Sequence, residues 1–323
     1  MRRLLWWLAL CGFFALPQAG WAQSYPSKPI RLITEFLAGS GGDTLLRIFA
    51  GSLGQVMGQP VVIENRGGAG GLVAAEALFR SAPDGYTLGG LSPNTQVVRV
   101  HLAKSNPFDP QKDFTPIGII SDPTIVLIAH PSVPAKDLKE LIEYAKLNPG
   151  KISYASSGIG SQHHLSGEQI KMLTGAQIVH VPYKGLFESL KDVVSGQIAT
   201  GFNLSGPVAP LVKSGKVKVL AIINTSRSAL WPEVPTASEV VPGFEPAPSW
   251  TGLFGPAGMP VALVRRINAD AVKAANIPEV KAKINETGFN VINSTPEEFA
   301  ARLKREIDLV GKIVKSAGIE PTE

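Results

Sequence analysis

Two stretches carry the residue types from which an anion site is built: FLAGSGGDT, Phe36 to Thr44, and YASSGIGSQHHL, Tyr154 to Leu165. Each follows a strand-like apolar run and opens a helical pattern. Glycine lets backbone N–H groups converge without interference from Cβ. A helix start adds donors that have no intrahelical acceptor, together with a partial positive charge. The hydroxyls of Ser40, Ser156, Ser157 and Ser161 add donors that rotate to suit. Strand, small-residue loop and helix start together make a site for a phosphate or a carboxylate.

Nucleotide chemistry is excluded on spacing. A phosphate loop needs Gly-Lys followed by Ser or Thr, and Gly150-Lys151, Gly215-Lys216 and Gly311-Lys312 are followed by Ile, Val and Ile. The dinucleotide fingerprint lacks its third glycine in both loops. Metal or nucleophile chemistry has no motif either. His163 and His164 are adjacent and diverge on a helix, His101, His130 and His180 are isolated, and neither His-Glu-x-x-His nor Gly-x-Ser-x-Gly occurs. No cofactor is expected. Spatial triads leave no trace in sequence, so a secreted hydrolase acting on a carboxylate or ester in the same cleft stays as the alternative. A histidine within reach of Ser156, Ser157 or Ser161, with an acid behind it, would favour it.

Asp43 stands in the first helical turn and admits two readings. It suits the helix dipole as a cap that folds the loop and points away from a ligand, or it meets a ligand ammonium group. Further candidates surround the loops. ENRGGAGG, Glu64 to Gly71, is either a flexible turn or a route for Arg66 to an anion. SPNTQ, Ser92 to Gln96, places Asn94 at a rim. Tyr183 and Lys184 of VPYKG could close over a carboxylate.

These loops need a scaffold, and the chain alternates strand and helix patterns almost throughout. Strands are predicted at 30–35, 61–65, 87–91, 114–120, 125–129, 152–155, 178–181, 199–202, 217–223 and 251–254. Helices are predicted at 43–57, 72–80, 136–147, 161–173, 187–194, 208–212, 261–275, 278–286 and 296–317. Asp122-Pro123 reads as a turn or crossing point. Repeated βα units predict parallel sheets covered by helices, in two blocks broken near Asp122 and in the proline-rich passage from Trp231 to Pro248. The final helices are too poor in strands for a third block and should pack back on the first. Domain one is therefore expected over 23–122 plus 249–323, with 123–248 inserted as domain two.

The first residues, MRRLLWWLALCGFFALPQAGWAQS, read as a secretory signal peptide: Arg2 and Arg3, a short apolar run, Pro17, and cleavage after Ala22. Cys11 is the sole cysteine, and Leu10 before it argues against lipidation. A mature chain without cysteine has no disulfide, thiolate catalyst or thiolate metal ligand. It carries 29 basic against 26 acidic residues, a net charge of +3, scattered on solvated helix faces with no basic stripe. Nucleic acid is not an expected partner.

At the level of whole segments the chain resembles a known family. YPSKPIRLI, AGSGGD with Arg47 after it, GQPVVIENRGGAGG, APDGYTL, FDPQKDFTPIG, NPGKISYASSGIGSQHHLSGE, HVPYKG and STPEEFAARLKREI together resemble the periplasmic solute-binding receptors of tripartite tricarboxylate transporters, the Bug type. The resemblance spans the mature chain in order. It implies a type II periplasmic binding protein: two α/β lobes, a ligand cleft between them and two hinge crossings. It also implies a small organic carboxylate as ligand, membrane permease subunits as partners, a monomer, and a periplasmic location. A role as ligand-dependent co-sensor of a membrane receptor fits the same fold. The family's first pincer falls on Phe36, Leu37, Ala38, Gly39, Ser40, Gly41 and Asp43, and its second on Ser156, Ser157, Gly158, Gly160 and Ser161. This chain departs from the family at Glu35 and Leu37, where prolines usually stand, and at Asn203, where an aspartate often contacts amino-bearing ligands. Asparagine there removes a charge and favours a plain carboxylate.

Overall fold

The computed structural model describes residues 25–321. The leader, its cleavage point and Cys11 lie outside them. The first segment alternates β1 (Ile30–Thr34), α1 (Gly41–Met57), β2 (Val61–Asn65), α2 (Leu72–Phe79) and β3 (Thr87–Leu91). A π turn at Asn94–Val98 then continues into α3 (Arg99–Leu102) and β4 (Phe114–Pro123). The middle segment runs through β5 (Ile125–Ala129), α4 (Leu138–Leu147), β6 (Ile152–Ser156), α5 (Gln162–Thr174), β7 (Ile178–Pro182) and α6 (Leu186–Val194). It ends with β8 (Thr200–Leu204), α7 (Ser205–Lys213), β9 (Lys218–Ile222) and α8 (Ala237–Val240). The last segment holds β10 (Thr251–Pro256), α9 (Val261–Ala275), α10 (Pro278–Glu286), β11 (Phe289–Val291) and α11 (Pro296–Ala317).

The strands form two sheets. One has the order β11-β4-β10-β3-β1-β2 and the other β7-β6-β8-β5-β9. Both are mixed, which corrects the expectation of parallel sheets. β1 pairs parallel with β2 and β3, and β6 parallel with β7 and β8. β10 runs antiparallel to β3 and β4, and β5 antiparallel to β8 and β9. The reversal follows from connectivity. β4 leaves for the second sheet and β10 returns from it, so where they lie side by side they run in opposite directions. Asp122 and Pro123 are no turn either: they end a ten-residue strand, and the crossing falls at Thr124. Thr124 N–H donates to Gly288 O, and Ser205 N–H donates to Thr124 O, at 3.0 and 2.9 Å.

Packing follows the apolar pattern. α1 buries Leu45, Leu46, Phe49, Leu53 and Met57 and stops at Gly58, in the left-handed region at φ 74°. The C-terminal helices do pack on the first sheet. Phe299, Leu303, Ile307 and Val310 of α11 share a core with Ile33, Phe114 and Trp250. That core also takes in Leu165 of α5, so α11 bridges the two lobes. A separate core of Ile125, Leu138, Tyr154, Phe202 and Leu220 holds the second sheet. Among the described residues no helix is long and apolar enough to cross a membrane.

Candidate functional site

The carboxyl ends of β1, β3, β6 and β8 open onto one cavity of about 470 Å³ between the lobes. Crevices outside strand carboxyl ends are where open α/β sheets hold ligands. One wall comes from the first lobe, with Phe36, Gly41, Gly42, Ser92 and Asn94, and the facing wall from Ser157, Ile159, Gly160, Ser161 and Gln162. Trp250, Thr251 and Phe289 also line it. Among the described residues that line the cavity, none is charged.

The two helix starts are built alike. Ser40 caps α1, its Oγ accepting from Asp43 N–H at 3.3 Å, and Ser161 caps α5, its Oγ accepting from His164 N–H at 3.2 Å. Each cap satisfies the third amide of its helix. The first two, of Gly41 and Gly42 in α1 and of Gln162 and His163 in α5, have no intrahelical acceptor. Gly41, Gly42 and Gln162 line the cavity. Two half-charges of helix-dipole origin thus face one uncharged space.

The glycine amides act differently from expectation. Gly39 N–H donates to Asp43 Oδ2 at 2.8 Å, Gly158 N–H to Ser156 Oγ at 3.1 Å, and Gly160 N–H to His164 Nδ1 at 3.0 Å. These bonds shape the loops from within, and the donors left for a ligand lie one step later, in the helical turns. Gly160 also allows close approach: at φ 75°, a Cβ there would lie 2.4 Å from Leu102 in the other lobe.

Asp43 is the centre of the first loop. Its carboxylate takes Arg47 Nε at 2.9 Å, Asn65 Nδ2 at 2.7 Å and the Gly39 amide. The Arg47 bond, with Asn65 and Gly39 behind it, holds the carboxyl down at about 2. Asp43 is buried and outside the cavity lining, in the position of a cap that folds the loop.

Of the sixteen candidates, the cavity brings together Phe36, Gly41, Asn94, Ser157, Gly160 and Ser161. The others lie outside its lining. Leu37 is 70% exposed, with Ala38 and Gly39 exposed beside it. Ser40 is a cap. Ser156 Oγ pairs with His180 Nε2 at 2.7 Å, and Gly158 turns the loop at φ 118°. Tyr183 donates its hydroxyl to Asp192 Oδ2 at 2.6 Å, and Lys184 is exposed. Asn203 is buried, donating to Leu186 O and accepting from Leu204 N–H, so it holds two cavity residues without lining the space itself. Arg66 is bound to Glu64 at 2.6 Å.

Sequence reasoning missed the third wall. Ser249, Trp250 and Thr251 follow directly on the proline-rich passage, at the return crossing. That re-entry, adjoining a predicted strand, was the signal that could have found them. They are fixed from behind by a buried charged cluster. Ser249 Oγ–H donates to Asp122 Oδ1 at 2.5 Å, Trp250 Nε1–H to Glu306 Oε2 at 2.6 Å, and Arg302 bridges Glu306 and Asp122 at 2.7 and 3.4 Å. Burial raises both carboxyls, against the pull of Arg302 and their hydrogen bonds. Phe289 lies on β11, three residues long, too short to show a pattern.

The serine–histidine arrangement that would favour a hydrolase is half present. Ser157 Oγ lies 2.8 Å from His163 Nδ1, and Ser156 Oγ lies against His180. Among the described residues no carboxylate is hydrogen-bonded to the His163 ring, whose Nε2 is buried without a partner, and Glu168 acts on His180 only through its charge. Glu168 lies 3.9 Å from His164, whose Nδ1 serves Gly160. Burial drives His163 and His180 down to about 4.

Comparison with known proteins agrees with this architecture. The family model of TctC, the tripartite tricarboxylate transporter family receptor, matches residues 45–319. The chain belongs to that family. BugT of Bordetella pertussis is 32% identical over 299 residues, which cover 92% of this chain and 91% of BugT. Among solved structures, an R. palustris protein with adipate has a TM-score of 0.77 at 31% identity, covering 92% of this chain and 100% of that one. MatC from Rhodopseudomonas palustris with bound malate has a TM-score of 0.73 at 31% identity, covering 90% and 100%. The fold is that of the periplasmic solute-binding receptors, two α/β lobes with the cavity between them.

Proposed function

We propose that this receptor captures a small organic carboxylate between the starts of α1 and α5 and delivers it to the permease of a tripartite tricarboxylate transporter. The observation that carries the reading is the uncharged cavity faced by two helix N-termini from opposite lobes. The carboxylate takes the free amides of Gly41, Gly42 and Gln162 and the hydroxyls of Ser157 and Ser92. Charge-assisted hydrogen bonds contribute roughly 1.5–3 kcal/mol each. These five, near the upper end of that range and less the cost of immobilising the ligand, reach about −8 kcal/mol, near micromolar affinity. Phe36, Val98, Trp250 and Phe289 then surround the ligand body.

Closure follows because one ligand bridges two lobes. We assign domain one to 23–122 plus 249–323 and domain two to 123–248, with the hinges at Thr124 and before Trp250. The receptor works in the periplasm as a monomer, after removal of its leader. Adipate and malate, found with two of its relatives, head the ligands to test. A thermal-shift screen of the mature chain against di- and tricarboxylates, aromatic acids, nicotinate and acidic amino acids tests the reading. A ligand at 100 times its Kd stabilises by about 2.7 kcal/mol. Absence of any carboxylate shift would overturn it. The Ser157–His163 contact supports the hydrolase alternative, and hydrolysis of carboxylate esters by the wild-type chain, lost in Ser157→Ala, would establish it.

A further inference from the structure

The contact between Ser157 and His163 bears on recognition of the ligand. His163 is the second residue of α5, 3% exposed, and Ser157 lines the cavity half-buried. Their side chains meet at 2.8 Å through Nδ1. Burial alone holds the imidazole neutral at physiological pH, so the ring carries one N–H.

Two tautomers satisfy the 2.8 Å contact and have opposite consequences. With the proton on Nε2, Nδ1 accepts the Ser157 hydroxyl hydrogen, which is then turned away from the cavity. That tautomer also leaves an N–H donor at Nε2 buried with no acceptor among the described residues. An orphaned buried donor costs about 1–3 kcal/mol, and orphaned N–H groups are rarer than under-satisfied acceptors. With the proton on Nδ1, the ring donates to Ser157 Oγ. Nε2 then keeps only an unfilled lone pair, buried, in a ring whose centroid lies 6.3 Å from that of Phe202.

We propose that His163 is a positioning residue: it holds its proton on Nδ1, donates to Ser157 Oγ, and thereby turns the Ser157 hydroxyl hydrogen into the cavity as a donor to the ligand carboxylate. The function of the hydroxyl rests on the carboxylate-binding reading, while the tautomer is a property of the protein alone. The same assignment separates binding from hydrolysis. A histidine acting as base must accept the serine proton, and an Nδ1-protonated ring has no lone pair at that atom to do so.

Nitrogen-15 NMR of the full mature chain, labelled in histidine, decides the tautomer without ligand, because a protonated and an unprotonated ring nitrogen differ widely in chemical shift. Nδ1 of His163 is expected to be the protonated one at neutral pH, and finding the proton on Nε2 would overturn the proposal. Calorimetry with adipate tests the consequence. His163→Leu and Ser157→Ala should each weaken binding about tenfold, and the double variant should be no weaker than either single one. His163→Asn, which keeps a donor, should recover most of the loss. Wild-type affinity in His163→Leu, or losses that multiply in the double variant, would refute the coupling. If wild-type protein binds neither adipate nor any other carboxylate, the functional reading fails while the tautomer is still decided. If His163→Leu does not fold, the wild-type spectrum alone still places the proton on one nitrogen or the other.

Discussion

Glu35 offers the sharpest stability prediction, because folding buries its carboxyl. The residue follows β1, and its carboxyl lies behind the cavity wall. Oε1 accepts from Ser92 N–H at 2.8 Å, and Oε2 is buried with no partner among the described residues. Space for it exists only because residue 71 is glycine: at φ 91°, a Cβ there would lie 2.0 Å from Oε2. Burial pushes the carboxyl from 4.5 up to about 7, and the Ser92 amide only partly offsets it. An acid whose pKa rises on folding binds more protons in the native state between the two values. Stability therefore falls as pH climbs from about 4.5 to 7, and the loss is complete above 7. At 1.36 kcal/mol per unit the shift amounts to about 3 kcal/mol. Glu35→Gln keeps the acceptor for Ser92 and removes the titration. Urea unfolding of both proteins at pH 5 and pH 8 isolates the effect, because Asp122 and Glu306, also raised by burial, contribute equally to each. Wild type should lose about 2.5 kcal/mol more than the variant over this interval, the first part of the shift lying below pH 5, and the variant should be the more stable protein at pH 8. Parallel losses would refute the reasoning.

Other perturbations have directions fixed by the geometry. Asp43→Ala removes the acceptor of Arg47, Asn65 and Gly39 together, and should cost roughly 2 kcal/mol in chemical unfolding while weakening binding of the carboxylate proposed above. In wild type that contribution is present above pH 4 and lost as pH falls towards about 2. Gly160→Ala forces a side chain into the left-handed region, at about 1–2 kcal/mol, and against Leu102. Calorimetry should show roughly tenfold weaker binding with the fold retained. Trp250→Phe leaves Glu306 Oε2 without its indole donor, and should lower stability by about 1–3 kcal/mol in thermal melts and abolish any ligand-induced change in tryptophan fluorescence arising at the cavity.

Much of this architecture was legible because local and long-range signals agree. α9, α10 and α11 begin and end where the sequence places them: Thr295 caps α11 with Pro296 after it and Glu298 closing the capping box. β11 was missed because three residues carry no period. The π turn and α3 were missed because Val98, Val100 and Leu102 alternate with Arg99 and His101 in a strand-like period. Strand direction was misjudged for a global reason. A βα alternation implies parallel pairing only while the chain stays in one sheet, and β4, β5 and β10 are the strands that change sheets.

The site divides along the same line. Residue types pointed to the two loops, since two glycine and hydroxyl runs, each between a strand and a helix, suit an anion site. They could not reveal which amides remain free. That depends on acceptors two or four residues away in the same loops, aimed by the turn geometry: Asp43 over Gly39, His164 over Gly160 and Ser156 over Gly158. Each such bond takes a donor from the ligand and in return fixes the turn that presents the next donors, those of Gly41, Gly42 and Gln162. An uncharged cavity can hold an anion on these terms because dipoles fixed beforehand need no reorganisation when the ligand arrives. An arginine in their place would bind anions more tightly, but it would also hold the lobes shut around them. On the proposed reading, a receptor that hands its ligand on is better served by several bonds of modest strength, shared between lobes and broken together as the lobes part about Thr124.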